Sequence, residues 1–308
     1  MRWFYDPGYD YGSRLPGGPR EIHGFVLRKP SEIHDALVAM CVVVPGAFRS
    51  PEPVAAEELR FVHSERVVQG LSDPWSVATA IELPEIAALP PEVIRDNIVA
   101  PQLLAAGGTC EALACAAVGE SATNLSGGFH HARRDLSHGF CLINDVALAV
   151  ARLRRARQRR RVLILDLDLH QGDGNATCFA QDDSVFTVSL HQEDIFPYPK
   201  MTSDIDVGLA AGTGDDAYLA ALESALGAAR ARFRPDIVVY VAGSDPYEND
   251  RLGDLRLTRA GLLQRDRRIG EFTRDLRVPI VALPAGGYTD ESPAINAAGF
   301  AAIAAAVG

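Results

Sequence analysis

The stretch VLILDLDLHQGDG, from Val162 to Gly174, most constrains what this chain can fold into. Four apolar residues are followed by Asp166, Asp168, His170 and Asp173 within eight positions. A short unbroken apolar run such as Val162–Leu165 reads as a strand buried on both faces of a parallel sheet. Two further runs, Ile237–Val241 and Pro279–Leu283, read the same way. Helical stretches such as DDAYLAALESALGAARARF separate them. That alternation predicts βαβ units around one parallel sheet.

Further helices are expected along the chain. PSEIHDALVAM offers Ser31 as an N-cap, and PPEVIRDNIVAPQLLAAGGTCEALACAAVG reads as a long helical stretch. NDVALAVARLRRARQ has Asn144 as an N-cap and arginines in its last turns, where cations suit the helix dipole. The alanine-rich end, Ala294 to Val307, reads as a terminal helix packed on the body. Residues 1–24, rich in Gly, Pro and aromatics, read as a loop-rich start. No linker divides the chain, so residues 1–308 are expected to form one domain.

Composition removes several function classes. Apolar residues make up 47%, enough for a large core, and the net charge of −10 argues against a nucleic-acid partner. The basic run RLRRARQRRR, Arg152 to Arg161, then reads as a solvated helix end leading into a strand. Cys41, Cys110, Cys115, Cys141 and Cys178 contain no C-x-x-C pair, which suggests reduced thiols. The first residues, MRWFYDPGYDYGSR, lack the apolar region of a signal peptide. The longest apolar run, Ala36 to Val44, is nine residues. A bilayer span takes about 20. A cytoplasmic protein without a membrane span is expected.

The acids of the opening stretch have a geometric reading. Side chains two apart on a strand share a face, which would align Asp166, Asp168 and His170, with Leu165, Leu167 and Leu169 opposite. Ligand sites of open parallel sheets lie beyond the carboxyl ends of the strands. The other strands end alike: DIVVYVAGSD in Asp245, VPIVALPAGGY in Gly286, Gly287 and Tyr288. The segment SGGFHH adds His130 and His131. Asp168, His170 and Asp245 form an O/N/O set that suits a divalent metal with positions left for water and substrate.

GGFHHARRDLSHGFCLINDVALAV, ILDLDLHQGDGNATCF, VYVAGSDPYENDRLGDLRL and PAGGY resemble, in order and spacing, the zinc-dependent histone deacetylase family. The likeness runs over roughly residues 60 to 290. DLDLHQG with Gln171, AGSDPYENDRLG and GDDAYL point to the class IV branch and its bacterial relatives. The resemblance implies an arginase-like α/β fold, with a parallel sheet of about eight strands flanked by helices. It implies one Zn²⁺ per chain on Asp168, His170 and Asp245. It makes His130, backed by Asp166, and His131, backed by Asp173, the active-site pair, and Tyr288 the catalytic tyrosine. Gly139 and Phe140 would form one wall of an acyl tunnel and Phe196 the other. A structural K⁺ would sit on the segment of Asp166, Asp168 and His170, with Ser189 and Leu190 one strand on.

The activity so implied is removal of acyl groups from N-acylated amines, foremost acyl-lysine in a peptide or protein, with long chains favoured. His131 would act as general base and then protonate the leaving amine. His130 would orient the water, and Tyr288 would donate to the oxyanion. Polyamine-selective members carry a glutamate where this chain has Leu252. The alternatives are an acetylpolyamine amidohydrolase, a binuclear manganese ureohydrolase, and a silent acyl-lysine-binding scaffold. A ureohydrolase would need an acid two residues after Asp245, where this chain has Tyr247.

Overall fold

The computed structural model describes residues 1–12, 21–22 and 25–308. The strands are β1 (Arg2–Phe4), β2 (Glu21–Ile22), β3 (Phe25–Val26), β4 (Phe48–Arg49), β5 (Ala122–Asn124), β6 (Val162–Asp166), β7 (Val185–Gln192), β8 (Ile205–Leu209), β9 (Ile237–Val241) and β10 (Ile280–Leu283). The α-helices are α1 (Lys29–Ala39), α2 (Ala56–Leu59), α3 (Glu65–Gly70), α4 (Pro74–Ala80), α5 (Pro91–Ile94), α6 (Ala100–Ala117), α7 (Asp145–Arg155), α8 (Asp173–Phe179), α9 (Asp215–Arg232), α10 (Arg259–Leu276) and α11 (Ser292–Val307).

Eight strands form one sheet in the order β4-β1-β5-β10-β9-β6-β7-β8, every pair parallel. Helices cover both faces, as an all-parallel sheet requires. Successive strand residues feed opposite cores. Leu163 and Leu165 join Ile33 of α1, Tyr218 of α9, Leu262 of α10 and Phe300 of α11. Val162 and Ile164 join Leu113 of α6 and Val146 of α7. Fully burying such a side chain contributes about 1.5–3 kcal/mol, so both faces hold the sheet strongly. All these strands run the same way, so their carboxyl ends share one edge.

The three expected strands form with boundaries within a residue of the reading. β6 stops at Asp166, so Asp168 and His170 lie on the segment beyond it rather than on the strand. The alternation nevertheless continues, since Leu165, Leu167 and Leu169 all enter the same core. Asn144 caps α7 as expected, its side chain accepting from Ala147 N at 2.8 Å.

Two expectations need correction. The loop-rich start contains β1, an interior strand whose Trp3 and Phe4 are buried between β4 and β5. Three residues are too few to show periodicity, and Pro7 and Gly8 follow closely. Residues 13–20 and 23–24 of that segment lie outside the described residues. Ser31 is not an N-cap. α1 begins at Lys29, and the Ser31 hydroxyl donates to Asp10 Oδ2 at 2.6 Å while its N–H donates to Asp10 Oδ1 at 3.2 Å. A distant aspartate thus takes the capping task. The helical stretch Pro91–Ala117 is long and apolar enough to cross a membrane, although no nine-residue run announces it. Its most apolar window is 61% buried within the protein, and Leu113 and Ala116 are core residues.

The basic run is engaged by the protein itself. Arg152 forms a bidentate pair with Glu58 at 2.8 and 2.6 Å, and Arg154 bonds Asp182. The Arg155 guanidinium lies 3.8 Å over the Phe61 ring.

Candidate active site

Four segments meet at the carboxyl edge of β5, β6, β9 and β10. From β5 comes the tandem-histidine loop. Asp145, fully buried at the start of α7, accepts from Gly128 N at 2.9 Å and Phe129 N at 2.7 Å. Thr109 holds that carboxylate from α6 at 2.6 Å. Asn175 N donates to His130 O at 3.1 Å, and Asn144 Nδ2 to Ala132 O at 3.2 Å. The loop is therefore fastened on both sides of the two rings.

The rings have different partners. His130 Nδ1 donates to Asp166 Oδ2 at 2.9 Å. His131 Nδ1 donates to Asp173 Oδ1 at 2.6 Å. Burial opposes charge on His130, but Asp166 and Asp168 outweigh it and raise the imidazole to about 10. Burial lowers His131 to about 3, and the His130 charge adds to this against the pull of Asp173. Asp173 is shared: Arg133 Nε also donates to it at 2.5 Å, and His138 Nε2 lies 3.0 Å away. Their surroundings thus push the two imidazoles in opposite directions, although the ring centroids are only 4.0 Å apart.

Beyond β6 and β9 lie Asp168, His170 and Asp245, with candidate ligand atoms all within 4.8 Å of one another. All three are buried. Asp168 Oδ2 accepts from Gly286 N at 2.8 Å, Asp168 Oδ1 from His170 N at 3.0 Å, and Asp245 Oδ1 from Leu169 N at 3.0 Å. Among the described residues Asp245 Oδ2 has no hydrogen-bond partner; it lies 3.3 Å from His170 Nδ1. An orphaned buried carboxylate oxygen is costly unless a cation meets it. Burial and the neighbouring Asp168 charge push Asp245 up to about 7. Glycine leaves the cradle open: a Cβ at Gly286 would stand 2.3 Å from Asp245 Oδ2, and one at Gly243 2.2 Å from Asp168 Oδ2. Two carboxylates and one imidazole fit a zinc-type ion with free positions.

The fourth segment follows β10. Gly287, at φ +134°, takes a backbone conformation that L side chains disfavour. Tyr288 N donates to Asp250 Oδ2 at 2.8 Å, and burial pushes the Tyr288 phenol up. Its ring centroid lies 5.7 Å from that of Phe140. Gly139 and Phe140, both at positive φ, line a pocket of about 670 Å³ including its open mouth. His130, His131, Tyr288, Lys29 and Tyr11 line it too. Phe196 lies beside the histidines, with centroids 4.9 Å from His131 and 6.3 Å from His170. Leu252 is absent from this lining among the described residues; its N–H donates to Asp250 Oδ1 at 3.1 Å in a neighbouring turn. Ser189 pairs in register with Asp166, and its hydroxyl lies 2.9 Å from His191 Nδ1. Leu190 is fully buried next to it.

Several site residues escaped the sequence reading. Lys29 Nζ donates to Ala285 O at 2.9 Å and Gly286 O at 2.6 Å, gripping the tyrosine loop from α1. Asp250 holds both Tyr288 and Leu252. No local signal marks Lys29, because its partners lie more than 250 residues away. Asp145 stands in the quoted segment GFCLIND, but an acid after an N-cap reads first as a dipole partner.

The chain matches the family model described as a histone deacetylase domain over residues 23–304. It is 30% identical over 296 residues to "Histone deacetylase 2" of Arabidopsis thaliana, covering 95% of this chain and 76% of that protein. It is 35% identical over 283 residues to an uncharacterized protein of Picosynechococcus, covering 91% of this chain and 90% of the other. Among solved structures, a deacetylase homologue from Aquifex aeolicus superposes with a TM-score of 0.75 at 23% identity, covering 99% of this chain and 83% of that one. An acetylpolyamine aminohydrolase from Burkholderia pseudomallei superposes with a TM-score of 0.77 at 23% identity, covering 100% of both. These two likenesses speak for the fold.

Proposed function

The chain belongs to the histone deacetylase family, and on that premise we propose that it is a zinc-dependent amidohydrolase acting on acyl-lysine. The observation that carries this reading is the Asp173-held His131 beside the buried Asp168–His170–Asp245 cluster, with Asp245 Oδ2 left without a hydrogen-bond partner among the described residues. Zn²⁺ held by those three residues would supply Lewis acidity toward a substrate carbonyl and an attacking water.

The chain's own groups divide the remaining work. His131 is the proton acceptor, since burial disfavours its charged form and its Nδ1–H is fixed by Asp173, leaving Nε2 to take a proton. It then returns that proton to the departing amine, which otherwise leaves poorly. His130 stays charged on Asp166 and stabilises negative charge developing in the site. Tyr288, held by Asp250 and by the Lys29-anchored loop, donates to the oxyanion. Gly139, Phe140 and Phe196 border the acyl group and exclude water.

The class IV placement rests on DLDLHQG, whose Gln171 ties the segment carrying Phe196. The preference for acyl-lysine over polyamines rests on Leu252, which offers no charge to a distal ammonium. Glu248 and Asp254 are exposed nearby, whereas Asp250 is turned inward onto Tyr288. One panel tests the whole reading: zinc-reconstituted protein against one lysine peptide bearing acetyl through myristoyl groups, beside acetylated polyamines. Hydrolysis of the acyl-lysine peptides, rising with chain length, is expected. Acetylspermidine surpassing every peptide would overturn the substrate class. No turnover of any amide would overturn the enzyme reading.

A further inference from the structure

Among the described residues the largest fully buried side chain is that of Arg265, in the second turn of α10. A guanidinium is almost never fully buried without a reason, because removing it from water costs several kcal/mol even after relaxation. It is paired with the carboxylate of Asp266, whose Oδ1 accepts from Arg265 Nε at 2.9 Å and from Tyr240 OH at 2.5 Å. The other end of the guanidinium points at the site. Nη1 donates to Gly243 O at 2.7 Å and to Leu167 O at 3.2 Å.

Those two carbonyls are informative. Leu167 immediately precedes Asp168, and Gly243 lies two residues before Asp245. Both carbonyls stand just past the last inter-strand bonds, which Leu167 N donates to Val241 O and Ala242 N to Leu283 O. Buried carbonyls there need donors from elsewhere. One nitrogen of a planar, rigid group serves both, and so fixes the spacing between the two segments that carry the carboxylates. Arg265 is held in turn from behind: Asp266 lies so close to α11 that a Cβ at Gly299 would be 2.0 Å from Asp266 Oδ2.

We propose that Arg265 is a positioning residue that sets the separation of Asp168 and Asp245 through the carbonyls of Leu167 and Gly243, and thereby sets the affinity of the site for its metal. This rests on the assignment of Asp168, His170 and Asp245 as ligands. A merely structural role would use the Arg265–Asp266 pair to seat α10 on the sheet, and would leave the metal site unchanged.

The experiment uses the full chain and two variants. Arg265→Met/Asp266→Asn removes both charges together and keeps an oxygen acceptor for Tyr240, so no buried charge is stranded. Arg265→Lys keeps the charge and a donor but loses the planar fork. Zinc affinity is read by competition with a chromogenic chelator. Site geometry is read from the visible absorption of Co²⁺-loaded protein, and folding from thermal melts. The double variant is expected to bind zinc about 10–100-fold more weakly with an altered Co²⁺ spectrum, the usual effect of losing an outer partner of the ligands. Arg265→Lys is expected to lose less. Zinc affinity and a Co²⁺ spectrum indistinguishable from wild type, in folded double variant, would overturn the proposal even if the melt shifts. Should the double variant not fold, the same criterion applied to Arg265→Lys decides. Wild-type and His170→Ala proteins separate the two levels. If the wild type binds no zinc, or His170→Ala binds it fully, the ligand assignment fails, rather than the role of Arg265.

Discussion

Lys29 Nζ lies 2.6 Å from the carbonyl oxygen of Gly286, joining the first turn of α1 to the loop that carries Tyr288. Lys29 is buried, so its ammonium has left water for two backbone carbonyls and the field of the site's acids. Burial lowers it to about 8, against the pull of Asp245, Asp168 and Asp250. Lys29→Met should free the loop while leaving the metal ligands in place. Displacing a reacting group by about 1 Å can cost about 10²-fold, so kcat should fall by about that factor with zinc content unchanged. A kcat equal to wild type, measured where chemistry limits turnover, would show that the loop needs no anchor.

The tandem histidines and the tyrosine should separate by role. Tyr288→Phe should retain zinc and lower kcat by about 10²–10³, the cost of one oxyanion donor. His131→Ala should lose about 10²–10⁴ through the missing base and acid, and at least as much as His130→Ala. Single-turnover rates on an acetyl-lysine peptide read the three variants. If His130→Ala proves the more damaging, the charged and neutral assignments of the pair must be exchanged.

His63 makes acid stability a measurable property of this fold. Its Nδ1–H donates to Arg133 O at 3.0 Å, and its Nε2 accepts from Asn144 N at 2.9 Å. The bond from Asn144 requires the neutral ring, because a protonated Nε2 cannot accept, and burial lowers the His63 pKa to about 4. The unfolded ring titrates near 6.5, so between those values the unfolded state holds the extra proton. Stability from this group is complete above about pH 6.5 and is lost progressively as pH falls toward about 4, about 3 kcal/mol in all. His191, lowered to about 4 by burial and the Lys200 charge, adds in the same direction. Urea midpoints should therefore fall between pH 7 and pH 4.5, and His63→Gln should flatten that slope by about one proton. An unchanged slope in the variant would mean that His63 is already protonated in the folded protein.

The legible part of this protein was the part encoded locally. The runs ending in Asp166, Val241 and Leu283 are apolar enough to be strands whatever surrounds them, and the acids just beyond them had to share an edge once the sheet was parallel. The strands that escaped notice are β1 to β5, of two or three residues each, and β7 and β8, where polar residues such as Thr187, Ser189 and Asp206 mask the pattern. Lys29, Asp145 and Arg265 were illegible for a different reason. Each is an ordinary helix residue by sequence, and its task is defined only by carbonyls, amides or carboxylates that folding brings from distant segments.

Gln171 shows how the same long-range logic reaches the tunnel. It follows His170, is buried, and points away toward the segment that bears Phe196. Its Nε2 donates to Met201 O at 2.6 Å and to Asp206 Oδ1 at 2.8 Å, while its Oε1 accepts from Met201 N at 2.7 Å. Three bonds of about 0.5–1.5 kcal/mol each thus hold the far end of the loop whose Phe196 ring packs on His131. Gln171→Leu fills the same space without those bonds. The loop should open more often, so trypsin should cut after Lys200 faster than in wild type. Phe196 should border the acyl group less of the time, so KM should rise and kcat/KM should fall by about tenfold with zinc fully bound. Wild-type protection of Lys200 together with a wild-type KM would show that Phe196 is held by its ring contacts alone.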